Sequence, residues 1–458
     1  MKKSLSVRFT KLVVLRSICV LLVLTSISVL CWTRYPQSVL ALQGTNAGQR
    51  SGRRQDSRPS KQKFALSPRV IGGGLAMSSP PSTSSVSPSS ATVGSAGFSL
   101  TVNGSNFVNG DIVQWNGSSR TTAFVNSSQL TATIPASDLL LVGSFNVTVL
   151  DPSSTLTSNA QTFSVTATAT VTNLNDTGAG SLRTVIGSVS TGGTIGFSVA
   201  GTITLTSGII NITKNMTIVG PGAGIITVSG NNASGVFAVT AAAGNPVTIS
   251  GMTITQGKAT NGGGLSNATT NTVAINDCVF SNNTATGNGG AINNTTGGTM
   301  NINRTLFTGN SGFGGAVFNS NGSATTTTLN MTNCTVSGNT GNNATGSAGG
   351  IVNQISSATG TATATITNCT IANNAVSGTT TAGGIIDRRT TGTGSTVNIK
   401  NTIISGNTSP NTLTNGTGTS FTSGGGNVIG DNPTGFTGTN DKKSTDPLIL
   451  NRGGLTGV

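Results

Sequence analysis

One motif, repeated six times, limits what this chain can fold into. Between Val247 and Asn407 a block with the pattern apolar-x-apolar-x-x-x-x-apolar-x-x-Asn recurs as VTISGMTITQG, VAINDCVFSNN, MNINRTLFTGN, LNMTNCTVSGN, ATITNCTIANN and VNIKNTIISGN, and five of the six copies end in Asn. Its central apolar residues, Ile249, Ile275, Ile302, Met331, Ile366 and Ile399, lie 26, 27, 29, 35 and 33 residues apart, the period of a solenoid. A unit made of β-branched residues, Asn and Gly, with no helical period, cannot bury its apolar side alone and has to stack on a copy of itself. Stacking in register about 4.8 Å apart predicts parallel sheets. Within a block, Ile275, Cys278 and Phe280 all face inward if the chain bends sharply at Asn276-Asp277, so each block reads as two short strands meeting at a corner.

A second column falls once per repeat between the Asn-ended blocks: GGGLSN (Gly262 to Asn267), GGAIN (Gly289 to Asn293), GGAVFN (Gly314 to Asn319), GGIVN (Gly349 to Asn353) and GGIID (Gly383 to Asp387). Glycine accepts the positive φ of a tight corner, which predicts a glycine corner and a following strand in every rung. The drift in period is assigned to polar loops such as Gly341 to Ala348 and Ser356 to Thr363, extruded from a constant core.

The formal charge of +14 over 458 residues would point to nucleic acid or a membrane surface if the folded part carried it. It does not. Residues 1–79 hold thirteen Lys/Arg against Asp56 alone, whereas Arg120 is the only basic residue of residues 80–165. The start of the chain explains the excess: Lys2, Lys3, Arg8, Lys11 and Arg16 precede an apolar run from Ile18 to Trp32, followed by Val39-Leu40-Ala41. Residues 1–41 read as a secretory signal peptide, with an uncleaved anchor over Leu12 to Leu30 as the alternative. Residues 42–79 read as a basic, flexible linker. The protein is therefore expected to be secreted or held at the cell surface, touching a membrane only through this segment if it is uncleaved, with no nucleic-acid partner.

From Pro80 the pattern changes. Apolar and polar residues alternate at Phe98, Leu100 and Val102, a turn is expected at Asn103-Gly104, and strands resume at Val113 and Trp115, Leu130 to Ile134, Phe145 to Val149 and Phe163 to Val165. That is a small antiparallel β-sandwich over residues 80–165. The run SPSSATVGSAGFSLTVNGSNF, then VQWNG, LTATIPASDL, GSFNVTVLDPSS and TFSV, resembles an IPT/TIG domain, an immunoglobulin-like module, over nearly its whole length. The resemblance implies an extracellular spacer or adhesion module; a segment with one basic residue offers no footprint for phosphates.

Residues 166–458 read as the solenoid. Ser181 is placed to cap a short helix carrying Leu182, Val185, Ile186 and Val189 that would close the open end, with the stack beginning near Thr194. DTGAGSLRTVI, GTITL, MTIVGPGAG, the alternating GG corners and Asn-ended blocks, and the closing NVIG and DPLILNRGG resemble bacterial surface proteins with a right-handed parallel β-helix, of the pectate-lyase-like superfamily and its choice-of-anchor relatives. Those relatives continue past the GG motif into a sorting or anchor tail, so an early end of the chain at Gly457-Val458 is expected. The fold class is all-β: an Ig-like sandwich followed by a right-handed parallel β-helix.

Catalysis by analogy with that superfamily has to be argued from side chains. The chain has no His and its ten acidic residues are all Asp. Asp277 and Asp387 fall in different columns three to four rungs apart, roughly 14 to 19 Å along the axis at strand spacing; paired glycosidase carboxylates stand within about 5 to 9.5 Å. A lyase-like calcium site would need several converging carboxylates with Arg or Lys as base. The nearest candidates are Asp387 with Arg388 and Arg389, read as a surface ion pair, and the loop carrying Asp431, Asp441 and Asp446. The corner column holds Gly251, Asp277, Arg304, Asn333, Asn368 and Asn401; its last three members, and the block-ending Asn residues, are read as side-chain ladders with a structural role. Cys278, Cys334 and Cys369 share one column as buried thiols, with a Cys334–Cys369 bridge as the alternative. No cofactor or metal is called for. The reading is a non-catalytic structural or adhesion protein that takes extracellular polysaccharide or another surface protein as partner, with a polysaccharide lyase or hydrolase as the alternative.

Overall fold

Apolar residues at every second position of short segments that recur each rung make walls rather than a closed barrel, and that is the arrangement found. In the computed structural model the described residues are 79–443, except 323–324, 343, 378–380, 392–393, 409, 416–418 and 431–435. The leader and the linker up to residue 78, Asp431, Asp446 and the closing DPLILNRGG motif lie outside them.

The sandwich pairs two sheets. One has the strand order Ser82–Ser87, Phe98–Ser105, Gln129–Ile134, Thr122–Asn126; the other runs Ser90–Thr92, Gln161–Thr166, Gly143–Asp151, Ile112–Trp115, Ser118–Ser119, with Leu156–Thr157 on Gly143–Asp151. Two expectations change. Strand Phe98–Ser105 runs straight through Asn103 and Gly104, because Gly104 pairs with Thr83 and leaves no room for a Cβ against the Ser82 carbonyl; the chain turns at Asn106, which takes the left-handed φ of 61°. The domain is also not wholly antiparallel, since Ser90–Thr92 pairs in parallel with Gln161–Thr166. Trp115 packs between Phe145 and Phe163, with ring centroids 5.3 and 5.0 Å away.

The solenoid has three long parallel walls and one short one. The first begins with Ala169–Val171 and ends with Thr419–Ser423; the second runs from Gly201–Thr204 to Lys442–Lys443; the third runs from Ile210–Ile212 to Thr412–Asn415. A four-stranded wall, Lys258–Ala259 to Thr340–Gly341, bridges the second and third. The six repeat centres stand in register, Ile249 against Ile275, Ile302, Met331, Ile366 and Ile399 in turn, and Ile195 and Ile218 extend the same column upstream. None is more than 2% exposed, so each contributes about 2 kcal/mol of apolar burial as an upper estimate. Helix Leu182–Ser188, capped by Ser181 accepting from the Thr184 N–H, lays Leu182, Val185 and Ile186 on the first turn. The first wall starts one strand before that helix rather than near Thr194, because Ala169–Val171 already pairs with Ile195–Phe197. Thr361 to Thr363, expected in a loop, extend strand Thr361–Thr367 in register with Thr326 to Thr328.

The corner bends as its residues require. Gly251, Asp277, Arg304, Asn333, Asn368 and Asn401 all take φ between 47° and 62°, the left-handed region that Asn and Asp tolerate and Arg does not favour.

The glycine column has a different cause from the one expected. Strand register aligns Gly263, Gly290, Gly315, Gly349 and Gly383, and none of these five has positive φ. A Cβ there would strike backbone of the next rung: Gly290 meets the Gly315 carbonyl, Gly315 the Gly349 carbonyl, and Gly383 the backbone of Thr408. Positive φ is confined to the preceding position, at Gly262 and Gly289. Gly315→Ala is therefore expected to lower unfolding stability by about 2 kcal/mol through overpacking, read as a lower urea midpoint.

Candidate functional site

Strand alternation decides the fate of the Asp387, Arg388, Arg389 cluster. In Ile385–Arg389 the side chains of Ile385 and Asp387 point into the solenoid and those of Ile386 and Arg388 point out. Asp387 is fully buried and no ion pair joins it to either arginine among the described residues. The surface ion pair is thus corrected: Arg388, the next residue of the strand, lies on the opposite face, and Arg389, at the strand end, is half-buried and makes no ion pair with Asp387. Arg388 lies outside, its guanidinium carbon 5.1 Å from the centre of the Phe313 ring and its Nη1 donating to Gln354 Oε1 at 3.3 Å. Phe313 in turn packs against an external apolar patch of Phe318, Ala348, Val352, Ala382 and Ile386.

What Asp387 does is end a ladder. Asn267 Nδ2 donates to Asn294 Oδ1 at 2.9 Å, Asn294 to Asn319 at 2.8 Å, Asn319 to Asn353 at 2.8 Å, and Asn353 to Asp387 Oδ1 at 2.8 Å. These side chains are 0% exposed. The last member needs only to accept, and a carboxylate accepts on both oxygens; Asp387 Oδ2 takes the Ser420 N–H at 2.9 Å, and Ser395 adds a side-chain bond. Burial nonetheless pushes its pKa up to about 6 against those bonds. The ladder passes through Asn294, not through the Asn293 that closes GGAIN, because Asn267 pairs with Asn294 in the register.

A second buried ladder runs through the block-ending residues. Asn283, Asn310, Asn339, Asn374 and Asn407 pass the same bond from rung to rung, each Nδ2 to the next Oδ1 at 2.8 to 2.9 Å, and Asn407 ends the stack on Asn411 Oδ1, four residues on in its own rung, at 2.9 Å. The exposed corner residues Asn333, Asn368 and Asn401 stand outside this stack, and what the backbone asks of them is left-handed φ. Asn333 makes a long bond to Asn303 Oδ1 at 3.5 Å. One contact was not anticipated: Arg304 forks onto Asp277 of the rung below, Nε to Oδ1 at 2.6 Å and Nη2 to Oδ2 at 2.7 Å. Opposite charges one repeat apart in one column are the sequence signal for it.

The other described carboxylates of the solenoid are occupied too. Asp176 accepts from Arg183 and from the Thr206 and Ser207 N–H groups; burial works upward on it, but these donors outweigh burial and hold its pKa at about 2. Asp441 accepts from Ser423, Asn427 and Gly438, which likewise outweigh burial and leave it below the ordinary value. No group of three or more His, Cys, Asp or Glu gathers among the described residues. Cys278, Cys334 and Cys369 are free and buried, and burial pushes the Cys278 thiol up to about 12.

A concave site lies where sandwich and solenoid meet. The Val142 N–H donates to the Phe197 carbonyl at 2.9 Å, and Val219 of the solenoid belongs to the sandwich core. Beside this seam is a cavity of about 380 Å³ between Trp115, Phe145 and Leu140 on one side and Pro221 and Ile225 on the other. Ile225 is 48% exposed. Its polar wall is Asn116 and a fixed pair: Arg120 Nε and Nη2 fork onto Asp138 at 2.6 and 2.8 Å, while Nη1 reaches the Ser118 and Ser119 carbonyls.

The comparison with known families agrees with the sandwich. Residues 81–165 match the IPT/TIG domain family. This segment is an IPT/TIG domain. No curated protein matches the chain. The TIG domain thus supplies Trp115, Asn116, Arg120 and Asp138 to the seam cavity, and the solenoid supplies the apolar rim. Nothing in the sequence pattern pointed to this cavity, because Trp115 and Ile225 are 110 residues apart and only the seam brings them together.

Proposed function

We propose that this is a non-catalytic protein of the cell surface or its surroundings, exported through its N-terminal segment, in which the TIG domain and the β-helix form an adhesive rod. The observation that carries the reading is the employment of the described solenoid carboxylates. Asp176, Asp277, Asp387 and Asp441 each accept from an arginine, a ladder amide or a backbone N–H, so among the described residues of the solenoid no carboxylate is left free to serve as a general acid or base, and none gathers into a cation cluster. The outer face of the first wall carries Thr217, Thr248, Asn301, Asn330, Thr365 and Asn398, neutral and hydrogen-bonding, which suit extended polysaccharide or another protein surface. In the seam cavity apolar rings, a fixed carboxylate and an amide converge, the combination that holds a single sugar unit by its C–H face and its hydroxyls. Kinship of the solenoid with pectate-lyase-like proteins rests on its motifs alone.

The test is a screen of the purified protein for both retention on, and cleavage of, plant and bacterial polysaccharides with and without calcium. Retention without turnover is expected, weakened at least tenfold by Asn116→Ala together with Ile225→Ala. Calcium-dependent cleavage, abolished by Asp387→Ala at a temperature where that variant stays folded, would replace this reading with the enzyme.

A further inference from the structure

The TIG domain sets two aspartates face to face. Strand Ile112–Trp115 runs antiparallel to Gly143–Asp151 with Ile112 opposite Leu150, so Asp111 and Asp151, the next pair outward, stand opposite each other with Cβ atoms roughly 5 Å apart. Alternation turns both toward the side that buries Val113, Trp115, Val147 and Val149. Asp111 is 5% exposed and Asp151 4%. Arg120, the only basic residue of this domain, is spent on Asp138.

The two carboxylates are not equivalent. Asp151 accepts the hydroxyls of Ser153 and Ser154 at 2.7 and 2.6 Å and the Ser153 N–H at 2.8 Å, and these bonds hold its pKa at about 2. Asp111 accepts a single bond, the Val108 N–H on Oδ2 at 3.0 Å, and its Oδ1 is buried with no partner. Burial pushes the Asp111 carboxyl up against the Val108 bond, with the charge of Asp151 adding to the rise.

Like charges opposed across a strand pair weaken it, and a buried carboxylate oxygen with no donor is costly. A proton would quench one charge; a divalent cation would answer both and occupy the idle oxygen. We infer that Asp111 and Asp151 hold a calcium ion at the end of the sandwich core, with Asp111 Oδ1 as a direct ligand. The donors are those of a hard cation, since every side-chain donor named here is an oxygen and residues 80–165 contain neither His nor Cys. Two carboxylates place the dissociation constant at ~10⁻⁴ to 10⁻³ M, the range of weak extracellular modules. The inference concerns the TIG domain alone and does not depend on the adhesive role.

The experiment uses the full chain, stripped with a chelator and titrated with calcium chloride while tryptophan fluorescence follows thermal unfolding. Saturating calcium should raise the Tm of the TIG transition by about 5 °C, magnesium should raise it less, and Asp111→Asn should abolish the rise. Terbium luminescence sensitised by Trp115, four residues on from Asp111, gives a second readout. It should weaken at least tenfold in Asp151→Asn and stay unchanged in Asp277→Asn, which keeps the inference testable if Asp111→Asn fails to fold. No calcium response in the wild-type chain, with Asp111→Asn raising Tm at pH 7, would overturn it and leave an acid pair relieved by neutralisation.

Discussion

Asn339→Ala should destabilise the solenoid by about 3 to 5 kcal/mol, although the side chain lost is small and uncharged. Asn339 sits in the middle of the block-ending ladder, 0% exposed. Its Nδ2 donates to Asn374 Oδ1 at 2.9 Å and to the Phe307 carbonyl at 3.0 Å, and its Oδ1 accepts both the backbone N–H and the Nδ2 of Asn310. Truncation strands a backbone donor, a carbonyl and one hydrogen of the Asn310 amide, whose other bond to the Phe280 carbonyl remains, in a site that water does not reach; at about 1 kcal/mol each, the low end for a stranded group, these sum to about 3 kcal/mol. The cavity adds a smaller term. In a solenoid the loss falls on neighbouring rungs first, so hydrogen exchange should accelerate between Phe280 and Val376 well before global unfolding. Asn339→Asp is the sharper control. It keeps the acceptor but removes the donor, and would place a charge where Asp387 shows what burial does to one. Equal stability of Asn339→Ala and wild type in urea unfolding would mean that the ladder decorates the stack without supporting it.

The second large effect is a stability that falls as pH rises. Asp387 carries a folded pKa of about 6 against the ordinary carboxylate value of 3.8, so between those pH values the folded protein binds a proton that the unfolded chain has released. The sign follows: stability is full below about pH 4, declines through the window and is lost above about pH 6, by ~3 kcal/mol for two pKa units. Asp176 works the other way, with a folded pKa of about 2, and contributes stability that disappears as pH falls below 4. The two together predict maximal stability near pH 4. Urea unfolding of the wild type and of Asp387→Asn across pH 3.5 to 7 separates them. The decline above pH 4 should vanish in the variant, leaving a pH-independent loss because an amide cannot accept from Asn353 and Ser420 on both atoms. An unchanged slope in Asp387→Asn would assign the decline to other groups.

Much of this architecture could be read from residues alone. Spacing of 26 to 35 residues between Ile249 and Ile399 states a stacking period, and alternation within each block states which side chains go inside; both are local properties of a strand. The corner at Asp277 and its equivalents was legible because only a few residue types accept left-handed φ without strain. The TIG domain was legible as an ordered series of short motifs, matched over residues 81–165.

Tertiary structure decided the chemistry of each aspartate. Whether Asp387 meets Arg388, ends a ladder or faces solvent depends on the strand it lies in and on the rung that follows, and a run of five letters holds neither. The constant glycine of the GG column was read as a corner because glycine has two uses, positive φ and close approach, and only the packed neighbour tells them apart. The seam cavity and the Asp111–Asp151 pair join residues 110 and 40 positions apart. Sequence by itself determined the solenoid, its period and the sandwich before it, since these follow from short-range pattern. The folded chain decided which charges are buried, what each one accepts and where a partner finds a concave surface, because contacts between rungs and between domains set those outcomes.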